Sequence, residues 1–122
     1  MTGTRQNESA QSFEIILGET LSDVAFVLDY WQLQFDGPTI NVMTPIELHD
    51  DAGSVNDGQF RFRERLSGQI GKAVTGTELS ATALTITFED RSTIAVSLRE
   101  EDYHGPEAIV LMDAGRRLLL AL

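Results

Sequence analysis

A chain of 122 residues holds one ordinary domain, and the absence of cysteine excludes disulfides, thiolate metal sites and a cysteine nucleophile. Nineteen acidic against nine basic side chains give a formal charge of −10, which repels phosphate backbones and anionic bilayers and argues against nucleic-acid and membrane partners. The same charge suits solubility or a basic protein partner. No apolar run approaches the ~20 residues of a membrane span, and the N-terminus lacks the basic-then-apolar order of a signal peptide, so a cytoplasmic protein is expected.

The first ten residues, MTGTRQNESA, are polar and aperiodic and read as a disordered tail, leaving a single domain over 11–122. Ser9 or Ser12 then caps a short helix reaching Leu17, with Phe13, Ile16 and Leu17 on one face. Gly18 ends it in the left-handed conformation. Three strand-like runs follow, Thr20 to Val27, Tyr30 to Phe35 and Thr39 to Thr44. Leu21 and Val24 fall on opposite parities, so a bulge or bend is expected between them. Trp31, Leu33 and Phe35 share one face. Asp29 marks a tight turn between the first two runs, and Asp36-Gly37-Pro38 a second turn.

Glu47 to Gly58 reads as an acidic, glycine-bearing loop. Asn56 or Asp57 then caps a second helix from about Gln59 to Gln69, carrying Phe62, Leu66 and Ile70 at four-residue spacing and closed by Gly71. Phe60-Arg61-Phe62-Arg63 conflicts with this, because it alternates like a strand. Strands are expected again at Ala73 to Leu79, Ala83 to Phe88 and Thr93 to Leu98, the last two joined by a turn at Glu89 to Ser92. Arg99 to Pro106 forms a second acidic connection, and residues 107–122 a hairpin turning at Asp113-Ala114-Gly115.

The chain states one pattern twice, over about 13–45 and 66–98. At an offset of 71 − 18 = 53, Gly18 meets Gly71, Phe13 meets Leu66, Leu21 meets Val74, Trp31 meets Leu84 and Phe35 meets Phe88. After the second turn the offset slips to 54, so Ile40 meets Ile94 and Val42 meets Val96. Two copies are too few for a solenoid. The expected fold is α+β: a mainly antiparallel curved sheet or partial barrel of about eight strands with two short helices, built from two helix-β-β-β pseudo-repeats.

The segments FVLDYWQLQFDGP (Phe26 to Pro38) and REEDYHGPEA (Arg99 to Ala108), with IGKAVTGTEL and FEDRSTIAVSL between them, resemble a group of small uncharacterised bacterial proteins. That group carries a DYxQLxFDGP element and a later EDYxGPEA element. The resemblance covers about three-quarters of the chain and implies no activity, cofactor or catalytic residue. An immunity-like role beside a bacterial toxin is an analogy with other small acidic domains.

Little in the sequence points to catalysis. His49 and His104 are the two histidines, each beside carboxylates, and are weak metal-ligand candidates if their loops meet. A carboxylate pair from Glu47, Asp50, Asp51 and Asp57 lacks any motif that sets it across a cleft. Gly68 to Lys72 lacks the spacing of a phosphate loop. The run Val24 to Trp31 is apolar in seven of eight positions, so both of its faces should be covered. A twofold homodimer is one source of that second cover. Phe26, Leu28, Asp29, Tyr30 and Trp31 from this run, with Tyr103 from the repeated Asp-Tyr dipeptide (Asp29-Tyr30 and Asp102-Tyr103), are the binding or interface candidates. The expected function is a non-catalytic protein-interaction module without a cofactor. The alternatives are a small-ligand-binding barrel and, less favoured, a metal-dependent hydrolase.

Overall fold

The computed structural model describes residues 2–122. The chain opens on a helix, α1 (Thr2–Phe13), which a 3-10 turn at Glu14–Ile16 extends toward Gly18. The segment expected as a disordered tail over 1–10 is thus helical from Thr2, Met1 lying outside the described residues. Ser9 and Ser12 stand inside the helix and do not cap it. Ser9 is buried, and the Ser12 hydroxyl donates to the Glu8 carbonyl one turn back. Helix propensity alone does not hold so polar a segment; its C-terminal end docks through the fully buried Phe13 and, just beyond it, Ile16.

Ten strands follow: β1 (Leu21–Val27), β2 (Tyr30–Phe35), β3 (Thr39–Val42), β4 (Ile46–Asp50), β5 (Gly53–Asn56), β6 (Val74–Leu79), β7 (Ala83–Phe88), β8 (Thr93–Ser97), β9 (Ile109–Met112) and β10 (Leu118–Ala121). The second helix, α2 (Phe62–Ser67), lies between β5 and β6. The strands form two antiparallel five-stranded sheets, β1-β2-β3-β9-β10 and β5-β4-β8-β7-β6, and the sheets are not closed into a barrel. The fold is α+β as expected, but with ten strands in two open sheets in place of about eight in one curved sheet or partial barrel.

The two additional strands, β4 and β5, occupy the stretch expected as an acidic loop. Their alternation is real: Ile46, Leu48 and Val55 are buried while Glu47, His49 and Ser54 face out. Asp50 makes the turn, accepting from the Ala52 amide at 2.8 Å, and Gly53 takes a φ of 101°. The second helix is shorter than the expected Gln59 to Gln69. Arg61 has a φ of 69°, which breaks the helix on its N-terminal side, so neither Asn56 nor Asp57 caps it.

Inner-face residues of both sheets share one core: Trp31, Leu33 and Phe35 from β2 and Leu84, Ile86 and Phe88 from β7, with Ile40, Leu48, Ile94 and Leu111 from the strands beyond. Where the two halves join, their backbone bonds correspond in pairs. The Gly18 amide donates to Val74 and the Gly71 amide to Leu21, each at 2.8 Å. Leu21 donates to Lys72 and Val74 to Glu19, each at 3.0 Å. Each bond becomes the other when 53 is added to one residue number and subtracted from the other. The bridge Thr20–Ala73 lies between the halves. Gly18 and Gly71 both adopt positive φ, 80° and 95°. The expected bulge after Leu21 is present, and its counterpart follows Val74. Phe35 donates to Pro38 across the short turn and Phe88 to Ser92 across the turn one residue longer, which produces the slip to 54.

The matching extends past the expected limits of 45 and 98. The strand after β3 is β4, yet β4 pairs with β8; the strand after β8 is β9, yet β9 pairs with β3. Each half therefore completes the other's sheet with its hairpin. The helices also cross, α1 packing against β6 and α2 against β1.

Candidate functional site

The β1–β2 hairpin and the start of α2 come together at one end of the molecule. Val27 pairs with Tyr30, leaving Leu28 and Asp29 as a two-residue turn, the one that Asp29 marked in the sequence. Leu28 carries a φ of 56° and is 88% exposed. A positive φ at the first central position is the primed-turn geometry that glycine normally supplies. Phe26 and Trp31 pair across the hairpin with ring centroids 4.9 Å apart and tilted by 55°. Trp31 is buried and meets Phe62 edge-on at 5.5 Å. Phe26 stays about half exposed.

The guanidinium of Arg63 lies 5.5 Å from the Trp31 ring centre and 5.7 Å from that of Phe26. Such contacts contribute about 0.5–1 kcal/mol at an exposed site. Arg61 lies 5.4 Å from the ring of Phe60, which is 86% exposed. Among the described residues neither arginine makes an ion pair, whereas Arg65 pairs with Asp50, Lys72 with Asp90 and Arg117 with Asp113. A cleft of about 330 Å³ is lined by Phe26, Trp31, Phe62 and Arg63 together with Asp57, Gly58 and Gln59.

Asp29 faces a second cleft of about 500 Å³, lined also by Met43, His104, Gly105, Pro106 and Glu107. Tyr30 is half-buried at the start of β2, and Tyr103 is half-buried against the core. The two acidic connections do meet: Glu47, Asp57, Arg99 and Asp102 line a third, open cleft. Burial holds the Asp57 carboxyl above its ordinary range; the backbone amides of Ile46 and Asp57 oppose this, and the nearby Asp102 adds to it. The Ser97 hydroxyl donates to Asp102.

His49 and His104 do not form a joint site. His49 Nδ1 lies 2.8 Å from the hydroxyl of its cross-strand partner Ser54. Among the described residues no group of three or more histidine and acidic side chains is placed to hold a metal ion. Of the carboxylates considered as an acid–base pair, Asp50 has a structural ion-pair partner. Asp50 takes a hydrogen bond from Arg65, which holds it below the usual carboxylate range despite the opposing effect of burial. Lys72 pairs with Asp90, whose carboxyl that bond, aided by Ser92, holds far below its usual range. Lys72 is therefore occupied within the fold, and Gly68 to Lys72 is a helix end and not a phosphate loop.

Phe60, Arg61, Phe62 and Arg63 were not among the interface candidates read from the sequence. Their signal was the strand-like alternation that conflicted with a helix. Phe60 and Arg61 belong to the turn, and Phe62 alone of the four turns into the core. No protein-family model, curated protein or solved structure matches this chain.

Proposed function

We propose that the chain is a non-catalytic protein-binding module and that the hairpin–helix end is its binding surface. The observation that carries this is the exposed combination of Phe26, Leu28 and Phe60 with two arginines free of carboxylate partners among the described residues. Aromatic and arginine side chains are the types that dominate protein interfaces. The module is read as two pseudo-repeats, and the second copy supplies an internal comparison. Val27–Tyr30 becomes Ser80–Ala83 at the 53-residue offset, so Ala81 stands where Leu28 stands. Leu79 replaces Phe26, while Ser9 and Ala10 replace Phe62 and Arg63. The corresponding positions at the other end thus carry no aromatic or arginine side chain, and their backbone differs as well: Leu28 and Arg61 are at positive φ, whereas Ala81 is not and Glu8 lies within α1.

A photo-crosslinking residue placed at Leu28, and separately at Ala81, tests the assignment in the cell that encodes the protein. Protein adducts are expected from position 28 and not from position 81. Equal or absent labelling at the two positions would refute it.

A second reading draws on the Asp29–His104 cleft, whose ~500 Å³ is in the range of small-ligand sites. A ligand there should raise the melting temperature of the native protein and not that of His104→Ala.

A further inference from the structure

The geometry points to a second copy of this chain as the partner, docked about a twofold axis with the Leu28 side chain of each copy in the Phe26–Trp31–Phe62–Arg63 cleft of the other. This rests on the reading of that end as a protein-binding surface.

A twofold interface must be self-complementary: what one copy projects, the same face of the other must receive. This face holds both parts. The projecting part is Leu28, 88% exposed at the tip of a two-residue turn. The receiving part is the cleft of about 330 Å³, floored by Trp31 and Phe62. The two lie close on one surface, since Phe26 and Trp31 are the pair next but one to the tip. A leucine side chain entering the cleft would bury its own apolar surface and the exposed half of Phe26.

Charge fits the same arrangement. Asp29 follows Leu28 in the turn and is exposed, with no ion pair among the described residues. Arg63 rims the cleft and has none either. Seating Leu28 in the partner cleft carries Asp29 to that rim, and the twofold axis makes the contact twice. Two such pairs oppose the repulsion between copies that each carry −10. A basic partner would meet Arg61 and Arg63, which have no ion pair among the described residues. The second half of the chain again serves as the comparison: Ala81 and Thr82 at its turn offer neither a large apolar tip nor a carboxylate, and Ala10 offers no guanidinium. One end of the molecule is built to dock and its counterpart is not.

Sedimentation velocity on the full chain at micromolar concentrations tests this with three variants. All three alter exposed residues and should leave the far-ultraviolet circular dichroism unchanged. Arg63→Glu sets two carboxylates against each other at both contacts, and Asp29→Arg sets two guanidinium groups against each other. Each should raise the dimer dissociation constant about tenfold or more. The double variant Asp29→Arg/Arg63→Glu reverses both pairs and should recover most of the native affinity. A native protein that stays monomeric at high micromolar concentration would overturn the inference. So would a dimer indifferent to the single variants, or one that the double variant fails to rescue. If the protein is monomeric while a crosslinker at position 28 still captures a different protein, the second copy is the wrong occupant and the binding surface stands. If neither self-association nor position-selective labelling is seen, both readings fail.

Discussion

Replacing Leu28 with glycine should make the isolated monomer more stable, not less. Leu28 sits at a φ of 56°, and the left-handed region costs a non-glycine residue about 1–2 kcal/mol. Glycine removes that cost. Against it, the unfolded chain gains freedom worth about 0.5–1 kcal/mol. The side chain contributes little to the core, because 88% of its surface is exposed; at about 25 cal/mol per Å² the buried remainder is worth a few tenths of a kcal/mol. The balance is a gain of about 0.5 kcal/mol, or about 2 °C in melting temperature for a domain of this size. Urea unfolding at submicromolar concentration, or in the Arg63→Glu background, reads the monomer without a contribution from association. Ala81→Gly is the matched control: Ala81 is not at positive φ, so glycine there should cost about 0.5–1 kcal/mol. A Leu28→Gly protein that loses about 1 kcal/mol or more would show that the side chain belongs to the monomer's own structure. It would then remove the argument that Leu28 is kept at the expense of stability for binding.

Two further outcomes follow from the geometry. Asp57 has its folded-state pKa raised by burial, so it favours the folded state below the unfolded value of 3.8 and loses that contribution as pH rises through the folded value; Asp57→Asn keeps an acceptor for the Ile46 and Asp57 amides, and should raise stability at pH 7 and leave it nearly unchanged near pH 3, as urea titrations at the two values would show. A chain cut between Asp57 and Gly58 should reassemble from its two fragments with native circular dichroism, because β4 pairs with β8 and β9 with β3 across the cut; a fragment that attains its full native signal alone would contradict that interdependence.

The sequence displayed most of the sheet and little of the binding end. Strands β2, β7 and β8 were legible because their alternation is unbroken: Trp31, Leu33 and Phe35, or Leu84, Ile86 and Phe88, each separated by one half-buried residue. The turns were legible from Asp29 and Gly37 and the helix stop from Gly71, residues whose chemistry favours those backbone conformations. β4 and β5 were hidden by composition, since Glu47, His49, Asp50 and Asp51 make the stretch read as solvent although Leu48 is fully buried. α1 was hidden for a related reason: its early turns are polar, and what anchors it lies at the far end, in Phe13 and Ile16. The exchange of hairpins between halves had no local signal, because pairing β4 with β8 in place of β3 changes no residue's alternation. Phe60 and Arg63 were misjudged by assuming one element across 59–69. Arg61 at positive φ divides that stretch in two, and no residue type there announces it.

Positions 53 residues apart separate what both halves share from what one of them carries alone. Gly18 and Gly71, Leu21 and Val74, and Phe35 and Phe88 have matching environments in both halves: the glycines end helical segments at positive φ and the apolar residues are buried. Those features are common to both halves. Trp31 and Leu84 already diverge, since the tryptophan ring reaches Phe62 and meets the arginine of the next residue where Leu84 is wholly enclosed. Divergence is greatest at Leu28 against Ala81 and Arg63 against Ala10. The backbone diverges at the same places, Leu28 and Arg61 being at positive φ where Ala81 is not and Glu8 is helical. A strained leucine at a turn tip, beside a cleft rimmed by an arginine, is therefore not explained by packing within the chain; contact with a second molecule gives it a physical reason.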